Sequence, residues 1–277
     1  MDLTVIIPTY RNPKYLDLCL KSATENMVQE DTKITVVVDG YPDESKDVIW
    51  KYKGIQSLIL PHNTGMGNAI NMGVWNADTP YVFIVNDDNV FPYEWDKRLS
   101  LLNKRIGHNI ITIDQIEPSP SIFEFIVKDL GRSTDDFDYK AFLEFEPTVA
   151  RDTGDEAWYI ERGGKIFPFI ISKHHYMKVG GFDTFYQSPF WIDVDFWLKL
   201  EMAGLSGFVK TQLCHLYHFG SKATKAGSEG DKFREGERAA AQQFMYKWGF
   251  LPNIVSNVKR YNAKIPENHP LIRGIQF

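Results

Sequence analysis

The carboxylates of this 277-residue chain stand where apolar segments end, and those are the places where its side chains could do chemistry. Asp87 and Asp88 follow the run Tyr81–Val85 within Asn86-Asp87-Asp88-Asn89. Adjacent carboxylates repel, so such a pair at a strand terminus favours a compensating cation. Hard oxygen donors suit Mg²⁺ or Mn²⁺ bridging to phosphate oxygens. The plainer alternative is a polar turn that stops the strand. Asp193 and Asp195 lie in Ile192-Asp193-Val194-Asp195-Phe196-Trp197, at the start of a helix. Two positions on a helix turn through about 200°, so only one of them can face a given site. The positive end of the helix accounts for one carboxylate there. A second, set among Phe190, Trp191, Phe196 and Trp197, needs a partner or a task. His215 and His218 are three apart in a strand-like run and point to opposite faces, so they do not make a two-histidine metal site. His218 stands at the end of that run, just before Phe219-Gly220-Ser221.

The elements that must position these residues alternate in the first hundred positions. Leu3–Ile7, Ile34–Val38, Ile55–Leu60 and Tyr81–Val85 read as strands, and Pro13–Met27, Ser45–Tyr52 and Gly67–Asn76 as helices. Asn12 is a candidate N-cap before Pro13. Strands that are apolar throughout and alternate with helices imply a mostly parallel sheet covered on both faces, with ligands at the carboxyl ends of the strands. Thr9-Tyr10-Arg11, Asp39-Gly40 and Asp87-Asp88-Asn89 then share one sheet edge. Further helices are expected at Tyr93–Ile106, Trp191–Ala203 and Phe233–Trp248, and further strands at Asn109–Ile113, Lys165–Ser172 and Gly207–His218. Neither a dinucleotide-binding G-x-G-x-x-G nor a P-loop is present.

The net charge of −5 argues against a nucleic-acid partner. The imbalance is concentrated in residues 114–161, with 13 acidic and four basic side chains. Two cysteines, Cys19 and Cys214, make no disulfide framework. No apolar run approaches the ~20 residues of a membrane span. The first residues lead straight into a strand without a basic leader. The expectation is a soluble, cytoplasmic protein.

Six short segments, in order, resemble the family 2 glycosyltransferases, which have the GT-A fold. Val5-Ile6-Ile7-Pro8-Thr9-Tyr10 resembles their opening strand, and Asp39-Gly40 their acidic base-binding turn. Asn63-Thr64-Gly65 with Ala69, Asn71 and Gly73 is similar to their N-x-G…A-x-N-x-G helix start. Asn86-Asp87-Asp88-Asn89 occupies the place of the D-x-D motif. Gly180-Gly181-Phe182-Asp183 matches the G-G-F-D turn, and Asp193-Val194-Asp195 the E-D-x-D segment. Three departures stand out: Val38 for an acid, Ile70 for a common arginine, and Ile192 for the glutamate.

The resemblance implies an α/β protein, with a Rossmann-like, mostly parallel sheet, helices on both faces and an acidic α-rich or irregular insertion. Residues 1–232 would form the glycosyltransferase domain: a nucleotide-binding half (1–113), a variable insertion (114–161), and an acceptor and catalytic half (162–232). Residues 233–277 would pack on it as a helix and tail. The implied activity is an inverting, metal-dependent transfer from a nucleotide-diphosphate sugar, UDP-sugar favoured, to a hydroxyl acceptor such as a saccharide. Pro8, Thr9, Tyr10, Asp39, Asn63, Gly65, Asn71 and Asp87 would bind the nucleotide. Asp88 and His218 would hold Mn²⁺ or Mg²⁺, and Asp193 would be the general base. Gly181, Asp183, Trp191, Lys222 and Lys225 would line the donor and acceptor sugars. Two alternatives remain: a sugar nucleotidyltransferase, and a non-catalytic carbohydrate- or nucleotide-binding module. The insertion's aromatic residues, Phe123, Phe125, Phe137, Tyr139, Phe142, Phe145, Trp158 and Tyr159, would either stack on an acceptor or build a core of their own.

Overall fold

A computed structural model describes residues 2–106, 110–120, 126–150, 158–161, 167–186, 188–205, 208–220 and 230–250. Four parallel strands make the first half of the sheet: β1 (Leu3–Thr9), β2 (Thr32–Asp39), β3 (Ile55–Leu60) and β4 (Tyr81–Ile84). Every residue of β1 is buried, as its unbroken apolar run requires. Alternation decides which face each residue joins. Leu3, Val5 and Ile7, with Ile34, Val36, Val38 and Phe83, pack on helices α1 (Pro13–Glu25) and α2 (Pro42–Ile49). Ile6, Val37, Val82 and Ile84 point to the other face and meet α3 (Met66–Asn76). Gly73 lets α3 lie close, because a Cβ there would sit 2.5 Å from Ile6 Cγ2 and 2.9 Å from Val37 Cγ2. In α1, Leu16, Cys19, Leu20 and Ala23 recur at helical spacing on the buried side.

The second half of the sheet is mixed. The spatial order is β3-β2-β1-β4-β9-β6-β10-β5, with β9 (Phe169–Ser172) antiparallel to both β4 and β6 (Ile110–Glu117). Strand β10 (Phe208–His218) runs parallel to β6, with its register shifted between Thr211 and His215. The short β5 (Asn89–Val90), unforeseen in the sequence, closes the order antiparallel to β10. Consequently the carboxyl ends of β1, β2, β4, β6 and β10, and the amino end of β5, lie along one edge. Helix α4 (Trp95–Ile106) covers the first face; α6 (Lys173–Lys178), α7 (Ile192–Met202) and α8 (Gly230–Trp248) cover the second.

The acidic segment begins and ends on sheet strands. Residues 114–117 are the buried end of β6, which also pairs with β7 (Ile126–Val127), and β8 (Trp158–Glu161) pairs with β10. Between them, α5 (Tyr139–Val149) packs Phe142 against Leu130, Tyr217 and Phe219, with Phe137, Tyr139 and Phe145 partly buried at the margin. For those four aromatics the core-building alternative holds. Phe123 and Phe125 lie outside the described residues, as do the side chains of Trp158 and Tyr159. Among the described residues no helix is long and apolar enough to cross a membrane.

Candidate active site

The strand-end edge brings Thr9, Asn12, Asp87, Asp88, Glu117 and His218 into one buried group. Thr9 Oγ1 donates to Asp87 Oδ2 at 2.7 Å, and Asn12 Nδ2 donates to Asp87 Oδ1 at 3.0 Å. Asn12 does stand at the N-cap of α1, but its side chain makes no capping bond; it holds Asp87 instead. Burial and the neighbouring Asp88 charge push the Asp87 carboxyl up to about 7, although Thr9 and Asn12 pull the other way. His218 is 4% exposed. Its Nδ1 is 2.7 Å from Glu117 Oε1, and its Nε2 is 3.5 Å from Asp88 Oδ1. That Nε2 has no hydrogen bond among the described residues. His215 faces elsewhere, its backbone N–H donating to Glu146 Oε1, as the odd spacing of the two histidines requires.

Asp39 closes the neighbouring strand end. Its Oδ1 accepts from the Thr64 backbone N–H (2.6 Å) and hydroxyl (2.8 Å), and its Oδ2 from the Gly65 N–H (2.9 Å). The carboxylate thus ties β2 to the loop that starts α3, where Gly65 adopts φ +90° and Asn63 Oδ1 accepts from the same Gly65 N–H. Tyr10 at the end of β1 meets Tyr41 edge-on, with ring centroids 5.7 Å apart, and the Arg11 guanidinium lies 4.7 Å from the Tyr41 ring centre.

Asn71 is a frame residue inside α3. Its Nδ2 donates to Phe182 O, and its Oδ1 accepts from the Tyr176 hydroxyl and the Phe182 N–H. It fastens the Gly180–Asp183 turn to the helix. Gly181, at φ +66°, is required there: a Cβ would fall 2.4 Å from Asn71 Oδ1. Ile70 and Ile192, where the resemblance calls for arginine and glutamate, are core residues, so a charge at either place would be buried.

Helix α7 separates its two aspartates as the helical rotation demands. Asp195 is fully buried; it accepts from the Tyr186 hydroxyl and Trp248 Nε1, and pairs with the Lys247 ammonium at 2.6 Å. Lys247 also donates to Asp183 Oδ2 at 2.5 Å. Burial works against ionisation of Asp183, but Lys247 outweighs it and holds the carboxyl below the usual range. Lys199 donates to Gly181 O. One aspartate of the motif is therefore structural. Asp193 is the half-exposed one, its Oδ1 accepting from the Val194 N–H in the first turn, after a left-handed Trp191 at φ +64°. Lys222 and Lys225 lie outside the described residues.

A family model described as Glycosyl transferase family 2 matches residues 4–159. The chain belongs to glycosyl transferase family 2. Among curated relatives, an uncharacterized glycosyltransferase of Rickettsia typhi is 23% identical over 201 residues, which are 71% of this chain and 58% of that protein. The chain spans from about a sixth to about three-fifths of the length of the Rickettsia relatives it matches, 34% for that of Rickettsia prowazekii. Two solved structures share the fold. S. aureus TarS 1-349 in complex with UDP-GlcNAc has a TM-score of 0.55 at 15% identity, over 88% of this chain and 67% of that one. GalNAc-T7 with UDP, GalNAc and Mn²⁺ has 0.58 at 14% identity, over 79% of this chain and 44% of that one. The architecture is thus the GT-A-type mixed α/β sheet of this family.

A divalent cation fits the edge group of this family 2 chain. Among the described residues no three acidic, histidine or cysteine side chains are gathered as a ready ligand cage. The buried His218 Nε2 without a hydrogen bond, turned to an Asp88 oxygen, is nonetheless the donor pair that a partly substrate-coordinated cation needs. Glu117 and Asn12 are the two members of the group that sequence patterns missed. Glu117 sits inside the acidic segment, where nothing distinguishes it from twelve other acids, and Asn12 reads as a cap.

Proposed function

We propose that this protein is an inverting glycosyltransferase that moves a sugar from a UDP-sugar to a hydroxyl of a saccharide acceptor. The observation that carries the reading is the buried pair Asp88–His218 beside an Asp87 pushed up to about 7, at the carboxyl ends of parallel strands. Acid concentrated there is costly without a cationic ligand and serves one that arrives with a diphosphate. Asp88 Oδ1 and His218 Nε2 would hold Mn²⁺ or Mg²⁺, which when bound neutralises charge on the diphosphate leaving group. Asp87, oriented by Thr9 and Asn12, presents hydrogen-bond acceptors to ribose hydroxyls. Pro8–Tyr10 and the Asp39–Gly65 corner form the base side, with Asn63 at its rim. UDP complexes of the structural neighbours support this nucleotide.

Asp193 takes the proton from the acceptor hydroxyl as that oxygen attacks the anomeric carbon on the face opposite the diphosphate, so configuration inverts. The Gly180–Asp183 turn, Trp191 and the two loop lysines, Lys222 and Lys225, would border the sugars.

The test is a panel of nucleotide sugars with Mn²⁺, followed for slow donor hydrolysis without acceptor and for transfer with candidate saccharides. Hydrolysis of one UDP-sugar that requires metal supports the reading, and no turnover or binding of any UDP-sugar overturns it. Asp193→Asn should abolish transfer while UDP affinity stays unchanged. Full transfer in that variant would remove Asp193 from the mechanism. Specific binding without turnover would favour a carbohydrate- or nucleotide-binding module.

A further inference from the structure

Glu117 is outside every motif used so far, yet its carboxylate meets the Nδ1 of His218 at 2.7 Å. It stands one position beyond the Ile116–Tyr217 pairing of β6 with β10, and His218 stands one position beyond on the other strand. The carboxylate and the imidazole are therefore cross-strand neighbours at the same sheet edge. Glu117 Oε1 lies 2.7 Å from His218 Nδ1, and both side chains are buried. An ionised carboxylate only accepts hydrogen bonds, so a Glu117 carboxylate calls for the imidazole proton on Nδ1, and a neutral ring then turns its Nε2 lone pair toward Asp88, 3.5 Å away. Antiparallel pairing of His218 with Asn89, and the Phe219 N–H donated to Asp88 O, fix the backbone on the opposite side. The ring can then turn only about its own side-chain bonds, and Glu117 removes that freedom.

We propose that Glu117 is a positioning residue for a divalent cation: it fixes the tautomer and rotation of His218 so that Nε2, rather than Nδ1, is presented beside Asp88. The proposal rests on the cation reading made above. A histidine ligand whose other nitrogen donates to a carboxylate is both oriented and made more basic, and loss of such a partner weakens metal binding by about tenfold to a hundredfold. Glu117 acts at one remove, through His218, and touches neither cation nor donor.

The experiment measures Mn²⁺ affinity by calorimetry in the presence of saturating UDP, for the wild type, Glu117→Leu and Glu117→Gln, with circular dichroism as a check on folding. Glutamine keeps an oxygen that accepts from Nδ1–H but carries no charge. The expected result is a weakening of about tenfold for Glu117→Leu, no more than loss of the imidazole itself would cost, and near wild-type affinity for Glu117→Gln. Nitrogen-15 shifts of His218 in the metal-free protein should show the Nδ1–H tautomer in the wild type and in Glu117→Gln, and lose it in Glu117→Leu. Equal affinity in all three proteins overturns the proposal, since Glu117 would then be structural. Equal weakening in both variants also overturns it, because Glu117 would then act through its charge, as a ligand. If Glu117→Leu does not fold, the glutamine variant and the wild-type tautomer still decide. A wild type whose UDP binding ignores Mn²⁺ defeats the cation reading itself, an outcome separate from any difference among variants.

Discussion

Asp87 and Glu146 are carboxylates buried to similar depth, and their surroundings treat them in opposite ways. Asp87 is held by a threonine hydroxyl and an asparagine amide beside another acid, and its carboxyl rises to about 7. Glu146, on α5, meets the Arg98 guanidinium through three hydrogen bonds of 3.0 Å and accepts the His215 N–H. Burial also works against Glu146, but His215 and Arg98 outweigh it and hold its carboxyl below the usual range. The Asp183–Lys247–Asp195 group belongs with Glu146: a partly exposed acid and a fully buried one share an ammonium and bind α8 to the Gly180–Asp183 turn. Neutral donors orient an acid without neutralising it, whereas a guanidinium or ammonium does both. Acids of the first kind remain able to respond to an incoming cation or hydroxyl; acids of the second kind are fastenings.

The largest effect should come from breaking a fastening. Glu146→Gln leaves Arg98 mostly buried without its charge partner, which should cost about 3–5 kcal/mol in urea unfolding. UDP affinity of the folded fraction should be unchanged. A loss under about 1 kcal/mol would show that solvent already screens the pair.

At the strand-end edge the order is reversed. Asp88→Ala should weaken Mn²⁺-dependent UDP binding by about 3 kcal/mol, on the order of a hundredfold, with little loss of stability. Calorimetry with UDP and Mn²⁺ reads the first quantity and thermal melting the second. Unchanged metal-dependent affinity would place Asp88 among the structural acids.

Lys247→Met tests the shared ammonium. Losing the charged hydrogen bond to Asp183 and the ion pair with Asp195 should cost about 2 kcal/mol at neutral pH. The sign of the pH dependence follows from the lowered Asp183 carboxyl. Its contribution is complete above the ordinary carboxylate range near pH 4, and is lost as pH falls through the depressed native value. The acid limb of the stability profile should therefore flatten in the variant. An unaltered limb would mean that Lys247 does not set that carboxyl.

The smallest effect separates ligand from frame at His218. His218→Ala should raise the Mn²⁺ needed for half-maximal UDP binding by about tenfold while the melting temperature holds. Superimposable metal titrations would make His218 a packing residue.

Much of the fold was legible in the residues. Leu3–Ile7, Ile34–Val38 and Tyr81–Val85 are apolar on both faces, and only a sheet covered twice satisfies that pattern. Asp39, Asp87 and Asp88 follow directly on such runs, so parallel topology places them on one edge before any coordinate is known. What the sequence could not show was the use of each polar side chain. Asn12 reads as a helix cap because capping is a local preference, yet its partner, Asp87, is 75 residues away. Asn71 carries the right type and spacing for a ligand contact, but its bonds close on Phe182 and Tyr176, 111 and 105 residues distant.

The sequence by itself determined the strand–helix alternation, the edge on which acids gather, and the turning of Asp193 and Asp195 to different sides of α7, because periodicity and chain direction are properties of neighbouring residues. Only the tertiary structure decided that 114–117 ends a core strand, that Phe142 packs on Tyr217 and Phe219, and that Glu117 rather than any other acid of its segment meets His218. Those facts depend on the register of β6 against β10, which is fixed by pairing between strands some hundred residues apart and leaves no mark in either strand alone.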